Sequence, residues 1–208
     1  MATVMIVCLY TTTANAQVRI HKGDFKERVF VEDTTDTRNY ILNMDGVKLY
    51  GNKIVLRKRF FSGPHEEPTK IILDGETYPV TDIDGYRKDG FYYAKLEDGF
   101  VKRIVHGEVN VYVQVTVRDI TPAGRDWRDT PIPVTTSTTT YYLQWGDSGE
   151  MTPIETLENI QGAIGSCPQV APLVNITRSQ LKKALFKNKY YLNDAFEIYN
   201  TSCKKAGK

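Results

Sequence analysis

The chain has 208 residues, 41% of them hydrophobic, enough for one ordinary domain or one domain with an appendage. Lys plus Arg (27) and Asp plus Glu (25) leave a formal net charge of +2, which argues against the strongly basic face of a nucleic-acid-binding domain. After Ala16 no apolar run approaches the roughly 18–20 residues needed to cross a bilayer, so neither a membrane span nor a nucleic-acid partner is expected of the mature chain.

At the N-terminus an uncharged apolar run, residues 4–10, leads through small polar residues into Ala14-Asn15-Ala16 and then Gln17. A short apolar core ending in a small-x-small triplet is what a signal peptidase reads. Residues 1–16 are therefore expected to be an export signal, with the mature chain starting at Gln17 in the periplasm, the envelope or the medium. No Lys or Arg precedes Arg19, which departs from the usual charged start. Val7 is too large for the small residue that normally precedes a lipid-modified cysteine, so Cys8 is not read as one.

From Arg19 to Trp145 the punctuation is that of an antiparallel meander. Five Asp-Gly dipeptides, beginning at Asp45, Asp74, Asp84, Asp89 and Asp98, each offer the positive φ angles of a tight hairpin turn. The intervening runs 40–44, 47–56, 70–73, 77–83, 91–96 and 100–106 have strand composition. Their spacing leaves no room for crossover helices. The clearest alternation follows: Val109, Val111, Val113, Val115 and Val117 are interleaved with Asn110, Tyr112, Gln114 and Thr116. It predicts a half-buried strand with its valine face on the core, paired with 100–106 across Gly107-Glu108.

Residues 119–140 break the pattern with Pro122, Pro131 and Pro133 and a threonine-rich run, and are expected to form a long exposed loop. Trp127 within it is either a ligand contact or a side chain folded back onto the sheet. Strand character resumes at 141–145.

Beyond Gly149 the period lengthens to about 3.6. Ile154, Leu157, Ile160 and Ile164 mark a first helix closed by Gly165. Ser166 opens a short helix limited by Pro172. Thr177-Arg178-Ser179-Gln180 is a capping box, and Asn193 is the expected cap of a last helix carrying Phe196, Tyr199 and Cys203. The division expected is an export signal at 1–16, an antiparallel β domain at 17–150 and a helical segment at 151–208 packed on it. The fold class is α+β, a β-meander forming an open sheet or partial barrel with a small helical cluster. Removal of the signal leaves Cys167 and Cys203, an even pair in an oxidising compartment and so a disulfide candidate, the alternative being two buried thiols.

No constellation announces a reaction. His21, His65 and His106 have no second ligand-type residue at a metal-site spacing, and His65 reads as part of a solvated turn, His106 as a residue at a hairpin. Asp82, Asp84 and Asp89 place Gly85 at the wrong position for a calcium loop. Gly146-Asp147-Ser148-Gly149 lacks the spacing of a nucleophile elbow. No catalytic residue, metal or cofactor is expected.

The export signal, the Asp-Gly meander, residues 100–112 (FVKRIVHGEVNVY), Tyr141-Tyr142-Leu143, Cys167-Pro168 and the closing Tyr199-Asn200 with Cys203 together resemble a loosely defined set of uncharacterised exported bacterial proteins. The resemblance implies a cell-envelope or secreted protein with Cys167 and Cys203 paired, whose partner is an envelope protein or a glycan. The leading expectation is a non-enzymatic exported β-rich protein acting by binding or as a structural accessory. A carbohydrate- or peptide-binding module, with Tyr92, Tyr93, Tyr141, Tyr142, Trp127 and Trp145 supplying the aromatic surface, is the alternative. A hydrolase assembled from distant residues is a third reading, which a pocket holding a buried carboxylate beside His106 would favour.

Overall fold

The computed structural model describes residues 17–26, 38–57, 68–97, 99–120 and 134–203. Residues 1–16, expected to be an export signal, His65, expected in a solvated turn, and Trp127 lie outside the described residues. In chain order the strands are β1 (Asn39–Asn43), β2 (Lys48–Gly51), β3 (Ile54–Arg57), β4 (Lys70–Leu73), β5 (Glu76–Pro79), β6 (Ile83–Lys88), β7 (Phe91–Leu96), β8 (Gly99–Val105), β9 (Val109–Ile120), β10 (Val134–Trp145) and β11 (Thr152–Ile154). The helices are α1 (Leu157–Ile164), α2 (Ala171–Val174), α3 (Arg178–Lys187) and α4 (Tyr191–Ser202). All strand pairs are antiparallel. Eight strands form one sheet in the order β11-β10-β9-β8-β7-β6-β1-β2, and β3-β4-β5 form a second. The fold is α+β, a β-meander followed by helices, as the sequence leads one to expect.

The Asp-Gly dipeptides serve different ends. At Asp74-Gly75 and Asp89-Gly90 both residues have positive φ, the twist that two-residue hairpins between right-twisted strands require. Asp74 also accepts the backbone N–H of Asn52 and Lys53 at 2.8–3.1 Å. That clamp breaks the expected run 47–56 into β2 and β3, which join different sheets. The expected strand 77–83 is likewise split, by a 3₁₀ turn at Val80–Asp82.

Asp84-Gly85 is not a turn at all. It lies inside β6, where Leu42 opposes Gly85 and Asn43 opposes Ile83, so Asp84 is the extra residue of a bulge.

The hairpin of β9 and β10 is longer than the sequence pattern suggests. The strands pair from Val109–Trp145 to Ile120–Val134, so 119–120 and 134–140 are strand and the rest of the expected loop lies outside the described residues. The threonines at 135–140 explain the difference: their polarity mimics a loop, yet their β-branched side chains favour extended backbone. The valine face also needs correction. Val109, Val111 and Val113 are buried, but Val115 is 51% exposed, while Asn110 and Tyr112 on the supposedly solvated face are fully buried.

The large sheet has one face covered by two different layers. Toward β6 and β1, Ile41, Ile83, Tyr86 and Phe100 pack against Ile54, Ile71 and Leu73 of the small sheet. Toward β9 and β10, Ile104, Val111, Val113, Tyr141 and Leu143 pack against Leu157, Ile160, Leu181, Leu192 and Phe196 of the helices. Ile154, expected in the first helix, instead belongs to β11, opposite Tyr141. Thr156 with Asn159, and Thr177 with Gln180, form capping boxes.

Asn193 does not cap the last helix. It sits in the first turn of α4, fully buried, exchanging hydrogen bonds with the backbone of Lys26 at 3.1 and 2.9 Å, because the helix starts early enough to bury Leu192. Cys167 and Cys203 are joined by a disulfide, their Cα atoms 5.9 Å apart, tying the segment between α1 and α2 to the end of α4. Among the described residues no helix is long and apolar enough to cross a membrane.

Candidate functional site

Register places a ladder of side chains across the open face of the large sheet. Tyr50 is opposite Tyr40, Tyr40 opposite Arg87 and Arg87 opposite Tyr92. On the far side Arg103 is opposite Tyr112, and Tyr112 opposite Tyr142. Arg103 closes the row by stacking its guanidinium over the Tyr92 ring at 4.4 Å. Tyrosine and arginine therefore alternate through the middle of the sheet.

The sheet curls toward this face. Tyr40 and Tyr92 lie two strands apart, which in a flat sheet means nearly 10 Å, yet their ring centroids are 6.2 Å apart. Gly85 permits the approach, since a Cβ there would collide with the Tyr92 hydroxyl and the Tyr93 carbonyl. The curl encloses a pocket of about 340 Å³, walled by side chains from β1, β2, β6, β7, β8, β9 and β10. That volume lies near the lower end for sites that take a small ligand.

Charge in the pocket is biased. Lys48, Arg87, Lys95 and Arg103 face Asp84 and Asp147, an excess of two positive charges. Arg87 is 3% and Arg103 6% exposed, an unusual depth for a side chain that keeps its charge. Arg103 donates to Asp147 Oδ1 at 3.2 Å, but Asp147 is 76% exposed, so the pair sits at a boundary and the carboxylate can turn to solvent. Burial lowers the pKa of Arg103, opposed by Tyr112 and Asp147. Burial likewise carries the Tyr40 and Tyr92 hydroxyls above the usual phenol range and pushes Tyr112 up to about 12. The tyrosines thus stay neutral and act as hydrogen-bonding rings.

The floor is a network of amides. Tyr112 Oη donates to Gln144 Oε1 at 2.7 Å, and Gln144 Nε2 donates to the Gly149 carbonyl at 2.8 Å. Asn110 Nδ2 donates to the Gly146 carbonyl at 2.7 Å while its Oδ1 accepts the Gly107 N–H at 3.1 Å. The turn 146–149 that carries Asp147 is therefore held to the sheet by two buried side chains.

His106 Nδ1 lies 3.2 Å from the same Asn110 Oδ1, so that nitrogen carries the proton. Its pKa is lowered by burial, with the nearby Arg103 charge adding to the effect. His106, expected as a hairpin residue, does lie at the β8–β9 turn, but it also lines the pocket. Asn200 of α4 holds that turn from behind, accepting the Val109 N–H at 2.9 Å and donating to the Val109 carbonyl at 2.9 Å and to that of His106 at 3.3 Å. Gly107 is required there because a Cβ would strike the Asn200 side chain.

Of the positions singled out from sequence, the pocket gathers His106, Asp84, Asp147, Tyr92 and Tyr112. Cys167 and Cys203 lie in the helical layer on the opposite face. Trp145 is at the end of β10, edge-on to Tyr199. Among the described residues no three His, Cys, Asp or Glu side chains come together as metal ligands. No family model, no curated protein and no solved structure matches this chain.

Proposed function

We propose that the chain is an exported β-rich protein of the cell envelope that acts by binding, and that its ligand is an acidic glycan seated in the curled face of the large sheet. The observation that carries this reading is the alternation of tyrosine and arginine across a concave, net-positive pocket. Neutral tyrosine rings offer flat faces and hydroxyls to a sugar. Buried guanidiniums form charge-assisted, forked hydrogen bonds with a carboxylate or sulfate. Amides such as Gln144 and Asn110 hold the floor in place without adding charge.

The export part of the reading rests on residues 4–16 of the sequence and is consistent with a disulfide, since such bonds persist in oxidising compartments. The Cys167–Cys203 bond lies behind the sheet, away from the pocket, and its role is structural. Hydrolysis at His106 is the second reading, because a carboxylate does stand near the imidazole. That carboxylate, Asp147, is exposed and engaged with Arg103, which favours binding over proton transfer.

Screening the mature protein against a panel of neutral and acidic oligosaccharides, with release of reducing ends monitored in parallel, tests both readings. Retention of uronate- or sulfate-bearing glycans without cleavage is the expected result. Retention of neutral glycans only would remove the role given to Arg87 and Arg103, and cleavage lost in His106→Gln would move the protein to the hydrolases.

A further inference from the structure

Away from the pocket, α3 presents a second surface. Lys182, Lys183, Phe186 and Lys187 are all exposed on one side of the helix, while Leu181 points into the core. Phe186 is 93% exposed, the most exposed large apolar side chain described, although Leu181 and Leu185 of the same helix pack inward. Lys189 follows two residues after the end of α3, and with Lys22 and Lys26 of the N-terminal segment it lines the same shallow depression as Phe186. Lys22, Lys26, Lys182 and Lys189 thus line that depression with Phe186 and Asp24, and Lys183 and Lys187 stand exposed on the adjoining side of α3, in a chain whose total net charge is only +2. Among the described residues none of these lysines lies within ion-pair distance of a carboxylate; Arg178 of the same helix does, and it is spent on Asp24.

From this geometry we infer that the α3 face docks the protein on an anionic lipid surface, with Phe186 entering the headgroup region and the lysines pairing with lipid phosphates. The inference stands apart from the pocket reading. A protein partner is the poorer fit, because protein interfaces are depleted of lysine and need a close-packed apolar centre, whereas this face offers a single projecting ring. A bilayer surface needs no matching shape. Lysine stems can lie along it with the ammonium groups in the phosphate layer, and each basic residue near an anionic leaflet strengthens attachment about five-fold.

Co-sedimentation of the mature protein with phosphatidylcholine vesicles, alone or with about a third phosphatidylglycerol, tests this. The expected result is sedimentation only with the anionic vesicles, weakened by 0.5 M salt as screening dictates. In Lys182→Gln/Lys183→Gln/Lys187→Gln partitioning should fall at least ten-fold, on the order of five-fold for each charge removed. Phe186→Trp reports insertion: its emission, taken as the difference from the parent protein, should shift to the blue with anionic vesicles. All four substituted side chains are exposed, so the variants should fold. Failure to sediment at low salt, equal binding to neutral vesicles, or an unshifted emission from Phe186→Trp would each overturn the proposal. So would capture by poly-glutamate in the absence of vesicle binding, which would assign the face to an acidic polypeptide.

Discussion

Asn200→Ala should cost this fold about 3–5 kcal/mol, far more than removing a polar side chain from a helix surface. Asn200 is buried on α4 and treats Val109 as a neighbouring strand would, accepting its N–H and donating to its C=O. Truncation removes those two bonds and the one to the His106 carbonyl. Hydrogen bonds contribute about 1 kcal/mol each, and a buried backbone group left unpaired costs about 1–3 kcal/mol. Some relief comes from water reaching the His106 carbonyl, which keeps the sum from doubling. Against a typical stability of about 5–15 kcal/mol such a loss shifts the urea midpoint by roughly 1–3 M for slopes near 2 kcal/mol per molar. Asn200→Asp is the informative companion, since it keeps the acceptor for Val109 N–H but sets a carboxylate against two carbonyls, and it should be no milder. The assay is urea unfolding followed by circular dichroism. A loss below about 1 kcal/mol in Asn200→Ala would mean that α4 does not pin the β8–β9 turn, and the positioning of His106 by that turn would fall with it.

Three further outcomes rest on the same packing. Val111→Asp should cost ~4 kcal/mol or more, as expected for an unpaired buried carboxylate, whereas Val115→Asp, on the same side of β9 but half exposed, should stay within about 1 kcal/mol; equal losses in denaturant midpoints would disprove the face assignment. Thiol titration of the denatured, unreduced chain beginning at Gln17 should find no free cysteine, and reduction of the bond across 36 positions should lower stability by about 4 kcal/mol in the chain-entropy model; two titratable thiols would refute the pairing. Because the folded-state pKa of His106 is depressed, protonation favours the unfolded chain. The stability it contributes is present above the unfolded value of about 6.5 and drains away as the pH falls through the folded value. His106→Gln should flatten the denaturant midpoint between pH 7 and 5, and an unchanged slope would show that the imidazole is freely solvated.

The meander was legible because its signals are local. Asp74-Gly75 and Asp89-Gly90 carry the turn geometry in their own φ preferences, and Thr177 with Gln180 carries a cap. The errors occur where tertiary context overrides such signals: Asp84-Gly85 became a bulge because the curl of the sheet needs a residue without a Cβ beneath Tyr92, and the threonines of β10 were extended by pairing with β9. The site was nearly within reach. The two-residue turn at Asp89-Gly90 alone fixes Arg87 opposite Tyr92, and the next hairpin carries the row to Arg103. What hid the ladder is that the alternate residues of each strand look like a solvated face, when curvature encloses them. The contact of Asn200 with Val109, separated by 91 positions, has no local signal at all.

The central claim, that the tyrosine–arginine ladder reads an acidic glycan, is tested most directly by calorimetric titration with a matched pair, an oligo-hexuronate and its neutral methyl ester. If the proposed ligand is right, the free acid binds and its affinity is weakened at least ten-fold by esterification and by Arg103→Gln, about 1.4 kcal/mol or more, with added salt acting in the same direction. Equal affinity for acid and ester, or an affinity that Arg103→Gln leaves untouched, would contradict it.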